Sequence, residues 1–309
     1  MANAIPLLEG TAASGGYLVP DQFVQGAFQR GIDRQSAVAA LSTVRRVSGK
    51  TVKFTEYVGR PVAAFVAEGA AKAATGAEYA QVTVDIKKIA AIVMYTEELL
   101  EDAQDDPQVL INADVRAAFA DLIDSHALGR NAAGVVTGQF NSELSETTQT
   151  VELGTTGDAL ALAVSSAMAT IEGNGYTANG IILANDGRKH LRDARGTGDL
   201  VTTPLYSQGY TQPSDSLYGV PIRYTTNLQT FAGTATTGRV VGVVGDFTHA
   251  LLAVRNDIQV KFSDQATVDV GGTKHDLWQQ NKVASLWEAR VGFVAHDLNR
   301  SFVAIINAA

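Results

Sequence analysis

Cysteine is absent from this 309-residue chain. Neither disulfides nor thiolate metal sites can contribute, so any covalent reinforcement has to use other chemistry, and the composition suits a reducing cytoplasm. Cations are in deficit: 24 Lys and Arg stand against 32 Asp and Glu, a formal net charge of -8. That balance argues against a surface built to grip nucleic acid, because phosphate binding needs clustered Lys and Arg. No apolar run approaches the roughly 20 residues that span a bilayer. The start, Met1-Ala2-Asn3-Ala4-Ile5-Pro6, lacks the charged and apolar regions of a secretion signal. A soluble protein with no membrane partner is expected. What is present in quantity is ordinary core material, 46% hydrophobic residues, enough for one large domain or two moderate ones.

Residues 1 to about 48 combine Gly15-Gly16 and Pro20 with a short helical candidate, Phe23 to Arg30, and then Ala37 to Leu41, and read as an extended arm with one helical segment. Val52 and Phe54 then alternate with Lys53 and Thr55, and Val82, Val84 and Ile86 alternate with Thr83, Asp85 and Lys87. This period of two predicts the two arms of one hairpin. The stretch between them carries Gly59, Gly69, Ala70, Ala71, Ala73, Ala74 and Gly76, and offers little area to bury. An isolated two-stranded hairpin is marginal in water, so this one is expected to lie on another surface, either a neighbouring molecule or its own domain.

Asp106-Pro107 opens a helix, since Asp caps free amides and Pro suits the first helical position. From there Ile111, Val115, Phe119, Leu122 and His126 follow helical spacing as one packed face, predicting about six turns that end near Gly129 to Gly134. A polar passage, 131–157, leads to a helix capped by Asp158, carrying Leu160, Val164, Met168 and Ile171, and stopped by Gly173 and Gly175. Ile181-Ile182-Leu183-Ala184 reads as a short buried strand, and Asn185 or Asp186 opens another helix towards Arg195. A loop from Gly196 to Ser216 precedes strands at Val220 to Tyr224, Val240 to Val244 and Ala250 to Val254, completing a compact α/β unit. Alternation resumes at Ile258, Val260 and Phe262, crosses a polar loop at Gly271-Gly272, and returns through Ala284 to Val294 and Phe302 to Ile306. These late strands are expected to pair alongside the long helix.

Chemistry-bearing patterns are scarce. His126, His190, His249, His275 and His296 are scattered, with no HExxH or HxH spacing, and His126 is expected to be a hydrogen-bonded core residue. Neither a G-x-S-x-G elbow nor a G-x-x-x-x-G-K-[ST] phosphate loop occurs. The acidic run Glu97, Glu98, Glu101, Asp102, Asp105 and Asp106 complements helix N-termini without any ion. No cofactor and no metal are expected. Trp278 and Trp287 read as packing or interface anchors. An enzyme reading, a hydrolase or transferase using 196–216 as a lid, predicts a small soluble oligomer with a pocket.

Taken in order, Gly15-Gly16-Tyr17-Leu18-Val19-Pro20, Ala67-Glu68-Gly69-Ala70-Ala71-Lys72 with the alternation after it, Thr96-Glu97-Glu98-Leu99-Leu100-Glu101-Asp102 and Leu217-Tyr218-Gly219-Val220-Pro221-Ile222 resemble the major capsid proteins of tailed bacteriophages, with their Hong Kong 97-type fold. The resemblance covers nearly the whole chain. It implies an α+β fold with an N-terminal arm (1–48), an extended hairpin loop (49–93), a peripheral domain with a long spine helix (94–131 and 255–309) and an axial α/β domain (132–254). It also implies a structural, non-enzymatic protein whose many copies join as pentamers and hexamers into an icosahedral shell enclosing double-stranded DNA. An acidic wall suits that role, because confinement needs no tight contact with the genome.

Further expectations follow from the resemblance. Gly69, Ala70, Ala71, Lys72, Tyr17 and Trp278 would lie at subunit interfaces. Assembly would take place in the host bacterial cytoplasm and the product would be the virion capsid. The chain lacks a long charged helical extension at its start, so a separate scaffolding protein is expected, with a portal and a decoration protein as further partners. Maturation of a procapsid would move the arm and hairpin, whose glycines permit hinge-like changes. The same fold leaves an encapsulin-like cellular nanocompartment as the alternative.

Some members of the family weld neighbouring subunits by an isopeptide bond. By resemblance Lys72 matches the attacking Lys, Asn281 the Asn and Glu288 the proton-accepting Glu. Such chemistry needs a neutral Lys in a dry site and a Glu with a raised pKa. Strand periodicity puts Leu286 and Glu288 on one face and Trp287 on the other. The alternative for the same residues is a Glu288–Arg290 pair, with Lys72 and Asn281 simply solvated.

Overall fold

The computed structural model describes residues 36–59, 61–69, 71–72, 74–102, 107–131, 134–135, 138–154, 159–193, 216–228 and 239–307. The motif around Tyr17, the helix expected at 23–30, Ala70 and the loop over 196–215 lie outside the described residues. The described residues begin with α1 (Ala37–Leu41), β1 (Thr43–Arg46), β2 (Thr51–Gly59), β3 (Glu78–Asp85), β4 (Lys87–Thr96), α2 (Glu97–Asp102) and α3 (Pro107–Leu128). Short strands β5 (Arg130–Asn131) and β6 (Gly134–Val135) lead to β7 (Thr150–Leu153), α4 (Ala159–Gly173), β8 (Gly180–Ala184) and α5 (Gly187–Asp193). After β9 (Ser216–Leu217) and β10 (Val220–Thr225) come β11 (Arg239–Gly245), β12 (Ala250–Ser263), β13 (Thr267–Val270) and β14 (Thr273–Asp276). The chain closes with β15 (Lys282–Ala295), α6 (Leu298–Ser301) and β16 (Phe302–Asn307).

Helix and strand are mixed, and the strands form two main sheets. The larger runs β7-β16-β11-β8-β10-β9. Every residue of β8 is buried, which is what a run without alternation requires of a strand covered on both faces. Leu160, Val164, Ala167 and Ile171 of α4 join the same core. Close packing depends on missing side chains: a Cβ on Gly245 would stand 2.1 Å from Phe302 Cδ1. The sequence expectation that Phe302 to Ile306 lies beside the long helix is corrected here, because β16 sits between β7 and β11. Phe302, Val303, Ala304 and Ile305 are all buried, and a strand apolar on both faces belongs inside a sheet.

The second sheet runs β1-β12-β15-β4, with β15 antiparallel to both neighbours and β1 parallel to β12. Pro107 opens α3 as its chemistry predicts, and Ile111, Val115 and Phe119 pack with Ile89, Tyr95, Trp287, Ala289 and Val291 of the sheet. The packed stripe stops short of its sequence extent: Leu122 is exposed, and His126 is half-buried against the edge of Phe140 with no partner for its buried Nδ1. β12 is one strand rather than two, its pairing with β15 shifting register between Val254 and Gln259.

Asp124 of α3 holds the entry of the described chain. Its carboxylate accepts hydrogen bonds from Ser36 Oγ at 2.5 Å and from the backbone N–H groups of Ala37 and Val38 at 2.8 and 3.1 Å. Burial pushes its pKa up to about 6 despite those three donors.

Candidate assembly surface

β2 and β3 pair antiparallel from Thr51 opposite Asp85 to Gly59 opposite Glu78, forming the hairpin that the alternation predicts. Its root is tightly held. Val84 and Ile86 are buried against Leu251, Ala253 and Val294, and a Cβ on Gly292 of β15 would fall 2.6 Å from the Asp85 carbonyl oxygen. Asp85 accepts from Thr51 Oγ1 at 2.9 Å and from Asn141 Nδ2 at 3.3 Å, and these bonds hold its carboxyl below the usual range. Lys87, immediately after, turns into β4 and the four-stranded sheet.

Beyond the root the described residues of the hairpin tip turn to solvent. Residues 61–69, 71, 72 and 74–80 are all exposed, Gly69 adopting φ +82° at a turn where glycine is favoured. Phe65 is fully exposed and Val62 is 72% exposed. A solvated phenylalanine on a projecting strip is the kind of apolar surface that marks an interaction site. Sequence reasoning pointed to the small residues Gly69 and Ala71 and to Lys72, and missed Phe65. The run Pro61-Val62-Ala63-Ala64-Phe65-Val66, apolar without either period, was the available signal.

The four-stranded sheet offers a matching face on the side away from α3. Cross-strand register places Ala90 and Gln259 beside Glu288, Ile92 and Lys261 beside Leu286, and Lys88 beside Arg290. Ile92 is 52% exposed there and Leu286 half-buried. Glu288 forms ion pairs with Lys88 and, at 3.7 Å, with Lys261. Lys88 is the chief reason its carboxyl is held below the usual range. The pairing with Arg290 offered as the alternative gives way to cross-strand diagonal partners, which a long Lys side chain reaches readily.

The trio expected from the family motif is therefore dispersed within one chain. Lys72 is exposed on the hairpin tip. Asn281 is exposed at the turn into β15 with φ +46°, about 23 Å along the chain from Glu288 by seven strand steps. Glu288 is ion-paired and its pKa lowered, the opposite of what a proton acceptor at neutral pH needs. Trp278 is 69% exposed on the turn after β14, whereas Trp287 is buried and donates from Nε1 to Ser285 Oγ at 3.0 Å. Among the described residues no three His, Asp or Glu side chains come together as a metal site.

Residues 15–303 match the model of the phage capsid family. A relative from Mycobacterium phage D29, "Probable major capsid protein gp17", is 25% identical over 309 aligned residues, spanning 94% of this chain and 90% of its own. A solved chain from Microbacterium phage Oxtober96 superposes with a TM-score of 0.73 at 22% identity, covering 96% of this chain and 99% of that one. A chain from "Capsid of native GTA particle computed with C5 symmetry" superposes with a TM-score of 0.65 at 17% identity, covering 98% and 100%.

Proposed function

Because the chain belongs to the phage capsid family and has its Hong Kong 97-type fold, we propose that the exposed hairpin is the element by which copies of this major capsid protein clasp one another in a closed icosahedral shell. The fully exposed Phe65 carries this reading, since a strip that buries nothing at home needs cover from a second copy. The receiving surface is the outer face of the four-stranded sheet, where Ile92 and Leu286 offer apolar area between Lys88 and Lys261. In this reading that sheet and α3 form the peripheral domain, and the six-stranded sheet with α4 forms the axial domain. Gly69, Ala71, Lys72 and Trp278 lie at contacts between copies. Pentamers and hexamers assemble in the host cytoplasm around a separate scaffold, with a portal and decoration protein, and enclose double-stranded DNA without reading it. The relatives described above come from phages and capsid particles, which favours this shell over an encapsulin-like compartment.

Electron microscopy of the expressed chain tests the reading: closed shells support it, and a species that stays monomeric at high concentration on size-exclusion chromatography overturns it. DNA rather than a protein cargo in purified particles separates virus from compartment. The covalent version of the same contact needs Lys72 from one copy against Asn281 and Glu288 of others, with Glu288 released from Lys88 and Lys261. Boiled mature particles on a denaturing gel decide that point, a ladder supporting the cross-link and a single monomer band removing it.

A further inference from the structure

Asp85 is the joint of the hairpin: it ends β3, and β4 begins two residues later. Its backbone and side chain are fixed from three sides. The carbonyl oxygen lies over Gly292, the N–H donates to Asn141 Oδ1 at 2.8 Å, and the carboxylate accepts from Asn141 Nδ2 at 3.3 Å and from Thr51 Oγ1 at 2.9 Å. One amide side chain thus closes a two-bond ring on Asp85, using its acceptor and a donor together. Asn141 itself stands on a fixed base. Its N–H donates to the Phe293 carbonyl at 3.3 Å, beside Gly292. The residues after it are bonded in turn to both main sheets and the turn between them. Ser142 Oγ accepts from the Ala295 N–H, the Thr147 hydroxyl donates to the Phe302 carbonyl at 2.8 Å, the Thr148 N–H donates to Asn299 Oδ1 at 2.8 Å, and the Gln149 carbonyl accepts from the Ala304 N–H at 2.9 Å. Within this strap the Glu143 carboxylate fills the space in which side chains on Gly129 and Gly138 would stand.

We infer that Asn141 sets the angle at which the β2–β3 hairpin leaves the body, acting through Asp85, and is in that sense a positioning residue for the clasp. Its role in assembly rests on the reading proposed above, whereas the angle is a property of the single chain. The apolar contacts of Val84 and Ile86 hold the root in place but are non-directional. Two hydrogen bonds from one planar amide fix an orientation as well. Asparagine suits the position because the joint asks one side chain to accept from an N–H and to donate to a carboxylate. With Asn141→Asp, a second carboxylate faces that of Asp85, and like charges repel. Adding Asp85→Asn restores the set. The carboxylate then at 141 accepts from the N–H and the side-chain amide of 85, whose amide oxygen still accepts from Thr51.

Because the chain has no cysteine, two introduced ones take spin labels cleanly. With Ala71→Cys on the exposed tip and Ala169→Cys on the exposed face of α4, double electron–electron resonance reads the spread of tip positions in the unassembled chain. Asn141→Asp is expected to broaden that distance distribution by about 2–4 Å, the travel of eight strand residues tilting through about 5–10°. The double variant Asn141→Asp with Asp85→Asn is expected to return it to its original width, which a residue that merely fills space would not do. An unchanged width in Asn141→Asp overturns the positioning role, as does a double variant as broad as the single one. Should the variants fail to fold, amide exchange in the unmodified chain decides: protection at Asp85, whose N–H donates to Asn141, supports the clamp, and exchange at the unstructured-chain rate overturns it. The distances are read without shells, so the two readings separate. Closed shells beside an unchanged width overturn the positioning role alone, and a broadened width beside a permanently monomeric chain removes the clasp while supporting the hairpin angle.

Discussion

The six-stranded sheet and the β2–β3 hairpin are built from similar residues and have opposite fates. In the sheet, β8 and most of β16 are buried on both faces, and α4 covers the core that they share. In the hairpin, the pleat is anchored at Val84 and then runs out into solvent with Val62 and Phe65 uncovered. The contrast teaches that folding of this chain and its assembly draw on different apolar surfaces. One is buried within the molecule, and the other stays exposed, where the proposed shell would cover it with a neighbour.

The comparison can be broken or sharpened by substitution. Phe302→Ala removes a fully buried ring that packs edge-on to Phe247 at 5.3 Å. It is expected to cost about 3–5 kcal/mol in chemical denaturation. Asp124 comes next. Its carboxyl, pushed up to about 6 from an unfolded value of 3.8, is charged in both states at pH 7 and costs the folded state about 3 kcal/mol. As pH falls through 6 the folded form takes the proton first, so stability is expected to rise until about pH 4, where the unfolded chain protonates too. Asp124→Asn should flatten that part of the pH–stability curve, and an unchanged slope would assign the dependence elsewhere. Ser285→Ala strands the buried Trp287 N–H and should cost about 1–3 kcal/mol by the same denaturation. Phe65→Ser should move folding stability by no more than about 0.5 kcal/mol, yet abolish shells under the electron microscope. If Phe65→Ser destabilised the monomer as Phe302→Ala does, the division of labour between the two regions would be lost.

Much of the fold was legible because its signals are local. Alternation at Val52, Phe54, Val82 and Val84 located the hairpin, Pro107 located the start of α3, and the unbroken Ile181-Ile182-Leu183 run located a buried strand. Sheet membership was harder. Nothing near Phe302 in the sequence says that its partners are Gly245 and the β7 strand, because that choice is made by buried area gathered from across the chain. The candidate site divides the same way. Lys72 and Gly69 were visible as a small-residue tip, but Phe65 was hidden by attention to glycine and alanine. For Glu288 the sequence offered a cross-link role or, as the alternative, a pair with the nearby Arg290, whereas Lys88 and Lys261 come from two other strands that only the register brings alongside.

Gly292 gives the hairpin root its place, since the Asp85 carbonyl occupies the space a methyl group would take. About 25 Å of paired strand extends beyond that contact before the tip begins. The hairpin is therefore a lever whose root is held by Gly292 together with the buried Val84 and Ile86. A tilt of a few degrees at that root would swing the far end of the paired strands by an ångström or more, so in the proposed shell the angle held there would decide where the tip meets a neighbour.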